Sequence, residues 1–279
     1  MELRSALLDR KVIFFRDQDI TTEQHLAFAR NFGELEIHPF GSPDPEYPEI
    51  FRITHGPDTP GYENQWHSDV TWRLAPSLGS VLRMKTTPPA GGDTVFADMG
   101  AAYDGLPDEI KKEIDGKVAR HDFDLFRRGL IKRGASAEEV AQFDSQYPNP
   151  HHPIVRTHPE TGRRTLFVNT SFTREIVGMD PARSEQLLAL LYQQASFPEY
   201  QCRFSWEPNS IAFWDNRSCQ HYAISDYWPH ARSVERATII GDEPYFDPQQ
   251  PVADDSDYDR FRGAIGRTIA KQAAALSSE

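Results

Sequence analysis

The chain has 279 residues, 38% hydrophobic and 11% aromatic, which suffices for one well-packed domain. A formal net charge of −12 argues against the basic face that nucleic-acid binding needs, and no run approaches the roughly 20 apolar residues of a membrane helix. Two cysteines, Cys202 and Cys219, make neither a disulfide framework nor a zinc knuckle; with no signal-like start at Met1, they read as thiols of a soluble protein in a reducing cytosol.

Taken in order, the first strand signal is Val12 to Phe15. Thr21 with Gln24 spells a capping box that opens a helix over Glu23 to Asn31, with Gly33 past its end. Short runs rich in branched or aromatic residues and bounded by turn formers predict strands at Ser80 to Met84 and Asp93 to Phe96. Pro107 marks a helix start, and Gly116 follows the last turn. The region from Arg120 to Pro153 is charged, weakly patterned and bracketed by turn residues, so it is expected to be a lid or insertion; Ser136 with Glu139 spells a second capping box inside it. A strand signal returns at Thr165 to Asn169, and Asp180-Pro181 opens a helix whose apolar positions are Leu187, Leu188, Leu190 and Leu191. Two more strand signals follow, Ser210 to Trp214 and Ala237 to Gly241. The tail from Pro244 starts Pro/Asp-rich and ends in an expected helix over Asp257 to Ala275. Many short strands with peripheral helices suggest a single mainly β domain over 1–279, built as a double-sheet barrel or jelly roll.

The segment Gln65-Trp66-His67-Ser68-Asp69-Val70-Thr71 carries the chemistry. On a strand, residues two apart share a face, so His67 and Asp69 can aim at one ion. Alone, His-X-Asp is a weak signal, and a surface His beside an Asp is the bland reading. A second cluster strengthens it: the apolar run Ile211 to Trp214 enters a polar turn and then presents His221. Two His and one carboxylate on one face of an octahedron suit a non-haem Fe(II) oxygenase with open positions for a keto-acid and O₂. Arg232 and Arg236 follow with equal parity on the next strand-like segment. A guanidinium clamps a carboxylate through two parallel bonds, and two arginines inside a barrel are costly until an anion pairs with them. His151, His152 and His158 form a second group, but Thr157 to Gly162 reads as a turn and the other two as surface or packing residues, with no ligand geometry.

With these blocks in hand, the chain resembles the taurine/2,4-D (TauD/TfdA) family of Fe(II)/2-oxoglutarate-dependent dioxygenases, particularly its taurine dioxygenase and alkylsulfatase branch. The likeness runs from about Lys11 to Gly241 and includes Val12 to Gln18, Phe32-Gly33-Glu34, His38-Pro39 and Trp66 to Thr71. It continues, in family order, through Gly91-Gly92-Asp93-Thr94, His151 to Pro159, Val168-Asn169 and Trp214-Asp215-Asn216-Arg217. The resemblance implies a double-stranded β-helix core with Fe(II) held by His67, Asp69 and His221. It implies that Arg232 and Thr94 hold the far carboxylate of 2-oxoglutarate and that Trp214 lines the metal pocket. It further implies O₂ as the second co-substrate, succinate and CO₂ as co-products, and, from the presence of Asp69, hydroxylation of a substrate carbon.

On the substrate side the resemblance implies contacts from His38, Phe172 and Arg236, the last an anchor for an anion. Gly41, Glu63 and the Phe126-Arg127 pair depart from the taurine enzyme's residues, which argues against taurine itself. The preferred substrate is therefore a larger organosulfonate or an alkyl sulfate ester, with Phe126 and Glu63 at its pocket; an aryloxyalkanoate-type carboxylate is the alternative. A zinc hydrolase could use the same three ligands, but it has no use for Arg232 and needs a general base that no motif here offers. An inactive binding barrel is at odds with a complete triad and two matched arginines. Family members carry a strand-bearing segment before the region of Leu7 to Phe15, where this chain begins; the expectation is an edge protected in a homodimer or tetramer.

Overall fold

The computed structural model describes residues 2–39 and 44–251, together with Ile269 and Ala274. Gly41 lies outside the described residues, as does the expected tail helix over Asp257 to Ala275 apart from Ile269 and Ala274. The described strands begin with β1 (Val12–Phe15), β2 (Ile50–His55), β3 (Gly79–Thr86), β4 (Thr94–Asp98), β5 (Val118–His121), β6 (His151–Pro153) and β7 (Val155–Thr157). They continue with β8 (Arg164–Leu166), β9 (Thr173–Ile176), β10 (Gln201–Phe204), β11 (Ile211–Asp215), β12 (Cys219–Ala223) and β13 (Arg232–Ile239). The α-helices are α1 (Glu2–Arg10), α2 (Thr22–Arg30), α3 (Met99–Asp104), α4 (Asp108–Ile114), α5 (Asp124–Lys132), α6 (Ala137–Gln146) and α7 (Pro181–Gln193). The fold is thus mainly β with helices, and it divides into two compact units.

The first unit comprises residues 1–65, 77–96 and 202–242. Its frame is an antiparallel sheet in the order β1-β11-β3-β13-β2. In β11 the alternation of side chains sorts two cores: Ile211 and Phe213 join Leu7, Leu26, Val81 and Ile239 on one face. Ala212 and Trp214 join Val12, Phe96, Phe204 and Cys219 on the other. The second group draws on a three-stranded sheet, β10-β4-β12, so two sheets share one apolar layer. The face under Leu26 is closed by α2, which starts at the Thr21–Gln24 capping box and buries His25, Leu26 and Ala29 at helical spacing.

The second unit comprises residues 66–76, 97–201 and 243–279. It holds the small sheets β6-β5-β9 and β7-β8. Their core includes Ile110, Ile114, Ile154, Val168 and Ile176, capped by Leu187, Leu188, Leu190 and Leu191 of α7. Asp180 caps that helix through the N–H groups of Ala182 and Arg183, with Pro181 in its first turn.

Several expected boundaries move. The segment from Arg120 to Pro153 is a two-helix excursion, α5 and α6, whose ends are pinned by antiparallel pairing of β5 with β6. Those strands are short and contain buried polar side chains, His121 and His152, so apolar periodicity could not announce them. The strand expected at Ala237 to Gly241 begins instead at Arg232, because Arg232, Glu235 and Arg236 are buried charges that break the pattern. The run Thr165 to Asn169 is a strand only from Arg164 to Leu166.

Three buried histidines make this fold sensitive to acid. His25, fully buried with Nε2 2.9 Å from the Val81 carbonyl, is pulled by burial from its ordinary 6.5 to about 4. Burial likewise lowers His152 to about 4 and His121 well below its usual range. All three fold as neutral rings, whereas the unfolded chain takes up their protons near pH 6.5. Their contribution is therefore intact above pH 6.5 and drains as pH falls toward 4, by about 1.4 kcal/mol per pH unit for each ring. Urea denaturation of the metal-free protein should show stability falling steeply from pH 6.5 to 5, and His25→Gln should remove roughly a third of that slope. A flat profile over this span would contradict burial of neutral rings.

Candidate metal centre

His67 and Asp69 do not lie on a regular strand. His67 sits at a single β-bridge and Asp69 enters a turn closed by the Arg73 N–H on the Val70 carbonyl at 3.0 Å. The expected convergence is reached through this turn, with His67 Nε2 3.8 Å from Asp69 Oδ1. His221 is the third residue of β12, after a tight connection from β11. Arg217 stiffens that connection by forking onto Asp215, Nε to Oδ1 at 2.8 Å and Nη2 to Oδ2 at 2.7 Å. Trp214 packs on the His221 ring at 4.8 Å and Phe96 at 6.1 Å. The Trp214 indole N–H is buried without a hydrogen-bond partner among the described residues.

Among the described residues, one group of His, Cys, Asp and Glu side chains offers three ligand atoms to a single ion. It consists of His67, Asp69 and His221, whose ligand atoms all lie within 4.8 Å of one another. Asp69 is 4% exposed and His221 7%, so water does little to screen the carboxylate. Two imidazole nitrogens and one carboxylate oxygen are the donor set of non-haem iron sites that keep positions open, so the residues fit the ion. His151, His152 and His158 form no such group. His152 Nε2 is 2.8 Å from the Arg73 carbonyl, and His158 Nδ1 accepts from the N–H groups of Glu160 and Thr161 in a turn.

Arg232 opens β13 and is 6% exposed. Its Nε donates to the Gly92 carbonyl at 3.1 Å and its guanidinium lies 5.9 Å from the Tyr227 ring. No carboxylate of the described residues pairs with it, and burial lowers its pKa from the usual guanidinium range. The backbone that meets it is unusual: Gly91 and Gly92 take φ of +76° and +73°, and the Gly92 N–H donates to Asp226 Oδ1 at 2.8 Å. Thr94, next in sequence on β4, accepts from Trp206 Nε1 at 2.9 Å, which leaves its own hydroxyl proton to donate elsewhere.

Arg236 lies one register face along from Arg232; their Cα partners on β2 are Phe51 and His55. The Arg236 guanidinium sits 5.2 Å from the Phe51 ring, and His38 packs on the same ring at 4.4 Å, so Phe51 brings these two together. Phe172 turns its edge to His67 at 6.4 Å, and Phe126 of α5 stacks on Phe172 at 6.1 Å. Glu63 engages His55: both carboxylate oxygens meet its Nε2, at 3.0 and 2.9 Å. Burial raises the Glu63 pKa, but the His55 hydrogen bond and charge outweigh it and hold the carboxyl below its ordinary value. His55, Tyr227 and Asp226 escaped the sequence reading, which took Gly91-Gly92 only as part of a family block and not as a turn against Arg232. Only the double glycine could have signalled itself, as a backbone pressed against a neighbour.

The model of the taurine catabolism dioxygenase TauD, TfdA family matches residues 1–238. An alkylsulfatase of Acinetobacter baylyi is 35% identical over 246 residues, covering 86% of this chain and 76% of its own length. An (S)-phenoxypropionate/α-ketoglutarate dioxygenase of Sphingobium herbicidovorans is 32% identical over 254 residues, covering 87% and 86%. The crystal structure of a taurine dioxygenase from Burkholderia xenovorans is similar with a TM-score of 0.74 at 36% identity, covering 95% of this chain and 87% of that one.

The double-glycine turn gives a direct check on this geometry. A Cβ on Gly92 would lie 3.2 Å from Arg232 Cδ and 3.1 Å from Pro88 Cγ, at a backbone angle that L side chains avoid. Gly92→Ala should lower the unfolding free energy by about 1–2 kcal/mol, seen as a lower urea midpoint at unchanged slope. An unmoved midpoint would contradict the left-handed turn against Arg232.

Proposed function

This chain belongs to the taurine catabolism dioxygenase TauD, TfdA family, and we propose that it is an Fe(II)- and 2-oxoglutarate-dependent dioxygenase hydroxylating a small anionic organic substrate. The observation that carries the proposal is the convergence of His67, Asp69 and His221 on one point. Fe(II) with 2-oxoglutarate supplies the power to put one oxygen of O₂ into a C–H bond, with succinate and CO₂ as co-products. The chain's own groups do the rest. Arg232, without a carboxylate partner among the described residues, takes the far carboxylate of 2-oxoglutarate in a two-pronged hydrogen bond, and the Thr94 hydroxyl donates to the same group. Trp214 and Phe96 wall His221 from water, which strengthens every charge interaction nearby. Arg236 and His38, gathered on Phe51, hold the substrate's anionic head, while Phe172 and Phe126 take its apolar body. Glu63 acts through His55 and not by direct contact in this reading.

Our preferred substrate is an organosulfonate or alkyl sulfate ester, supported by the likeness to an alkylsulfatase. The same chemistry on an aryloxyalkanoate carboxylate is the second reading, favoured by the likeness to a phenoxypropionate dioxygenase. A zinc hydrolase would leave the buried Arg232 without a task. We read the two sheets that share the Phe96, Phe204 and Trp214 layer as a double-stranded β-helix. We read the working enzyme as a cytosolic homodimer or tetramer, in keeping with two cysteines that are not joined in a disulfide.

Succinate formation with Fe(II), 2-oxoglutarate and O₂ should rise with a sulfonate or alkyl sulfate and be matched by sulfite or sulfate release. Stimulation by carboxylates alone would keep the iron chemistry and overturn the sulfur preference. Asp69→Ala should lose more activity than the ~10–100-fold typical of partners that only orient a ligand. Arg232→Ala should raise the KM for 2-oxoglutarate at least ~30-fold, the effect of removing one member of a buried charge pair. An unchanged KM would rule out Arg232 as the co-substrate anchor.

A further inference from the structure

Val70 follows Asp69 directly and is 4% exposed at φ +49°. Of the four described non-glycine residues at positive φ, it alone is β-branched, the side-chain shape least suited to the left-handed region. A conformation this disfavoured persists only where its surroundings impose it. The surroundings here are a closed, buried network on the next residue. Thr71, fully buried, accepts at Oγ1 from Asn169 Nδ2 at 3.0 Å and meets His121 Nδ1 at 3.0 Å. His121 Nε2 is 3.3 Å from Thr173 Oγ1, which also accepts from the Asn169 N–H at 2.9 Å. The same Asn169 accepts the Phe172 N–H at Oδ1, 3.0 Å, and Phe172 sets its edge on His67.

The contacts close with His121 neutral in either tautomer: Thr71 donates to Nδ1 while Nε2–H donates to Thr173, or Nδ1–H donates to Thr71 while Thr173 donates to Nε2. A neutral imidazole is the form burial favours for His121. Beyond Val70 the chain is tied again, Arg73 N–H to the Val70 carbonyl and His152 Nε2 to the Arg73 carbonyl at 2.8 Å. Asp69 therefore sits at the entrance of a strained turn that is tied down at Thr71 and again at Arg73.

We infer that Thr71, Asn169 and His121 form a buried clamp that holds Val70 left-handed and so aims the Asp69 carboxylate at the metal. These are positioning residues; none is a ligand. The inference rests on the metal triad proposed above and adds to it: ligand identity alone does not fix where a carboxylate on a turn will point, and the clamp does.

Anaerobic titration of the full chain with Co(II), followed by its visible d–d bands, reads the metal affinity, and thermal melting of the same samples reads stability. Thr71→Ser keeps the hydroxyl and should bind as the parent does. Thr71→Val removes it and should bind about 10-fold more weakly, the scale of losing a partner that orients a ligand. Adding Val70→Gly to Thr71→Val should recover most of the affinity, because glycine adopts the left-handed turn without help. A hydroxyl that served only general packing would lower the melting temperature and leave Co(II) binding alone. Should Thr71→Val not fold, Thr71→Ala against Thr71→Ser makes the same comparison across a single hydroxyl. Parent-like Co(II) affinity in Thr71→Val, or a double variant as weak as Thr71→Val, would overturn the clamp. Undiminished binding in Asp69→Ala would instead overturn the triad, and the clamp with it.

Discussion

A carboxylate and two imidazoles drawn out of water to within 4.8 Å of one another are an unfavourable arrangement until a cation or a proton compensates them. Asp69 gives up nearly all its hydration, and His221 is enclosed by Trp214 and Phe96. The structure meets that demand with rigidity. His221 rides on β12, behind a turn locked by the buried Arg217–Asp215 fork. Asp69 stands on a turn whose next residue, Val70, holds a backbone angle that its side chain resists. Both devices spend stability on placement, and both are buried, where relaxation has nowhere to go.

The same reasoning separates the buried arginines by task. Arg217 has Asp215, and Arg163 has Asp104 at 2.7 Å. These are internal pairs that satisfy themselves and stitch neighbouring elements. Arg232 differs: among the described residues its contacts are a carbonyl, through Nε, and the Tyr227 ring. A guanidinium so supplied suits the anion-holding role proposed for it, and the double-glycine turn lets the backbone approach closely enough to orient it. Burial tells the two classes nothing apart; the partner does.

Much of this was legible before the fold. The capping boxes at Thr21 and Ser136 and the Asp180-Pro181 start each mark a real helix, since capping is local chemistry that one turn of chain contains. Strands β1, β3, β4 and β11 were legible because their side chains are apolar or branched, as strand periodicity requires. What stayed hidden is polarity that the fold buries. His121 and His152 occupy β5 and β6, which no apolar pattern announces, whereas Arg232 and Arg236 were placed on the β13 segment by their parity although its apolar signal starts only at Ala237. The His67–Asp69 pair converges as expected, yet by a turn and not by a strand's two-residue period. The partner of Glu63 was not legible: His55, eight residues away, meets its carboxylate only once β2 is folded.

On the reading proposed above, an apolar wall cannot decide the substrate class, since such a wall separates homologues by only about 1–3 kcal/mol per methylene. Discrimination must then come from the polar end, where Arg236 and His38 share the Phe51 ring. An arginine reads charge and two in-plane oxygens, and both a carboxylate and a sulfonate present those. The third oxygen of a sulfonate or sulfate is the difference, and it points out of the plane the guanidinium covers. His38 is the second polar group gathered on that ring, so the identity of the anion is a question about whether its imidazole meets that third oxygen. On the proposed reading a tetrahedral head would engage both residues at once, whereas a planar one would be met by Arg236 alone. The anion's shape, more than the length of its tail, is then what would separate the two substrate classes.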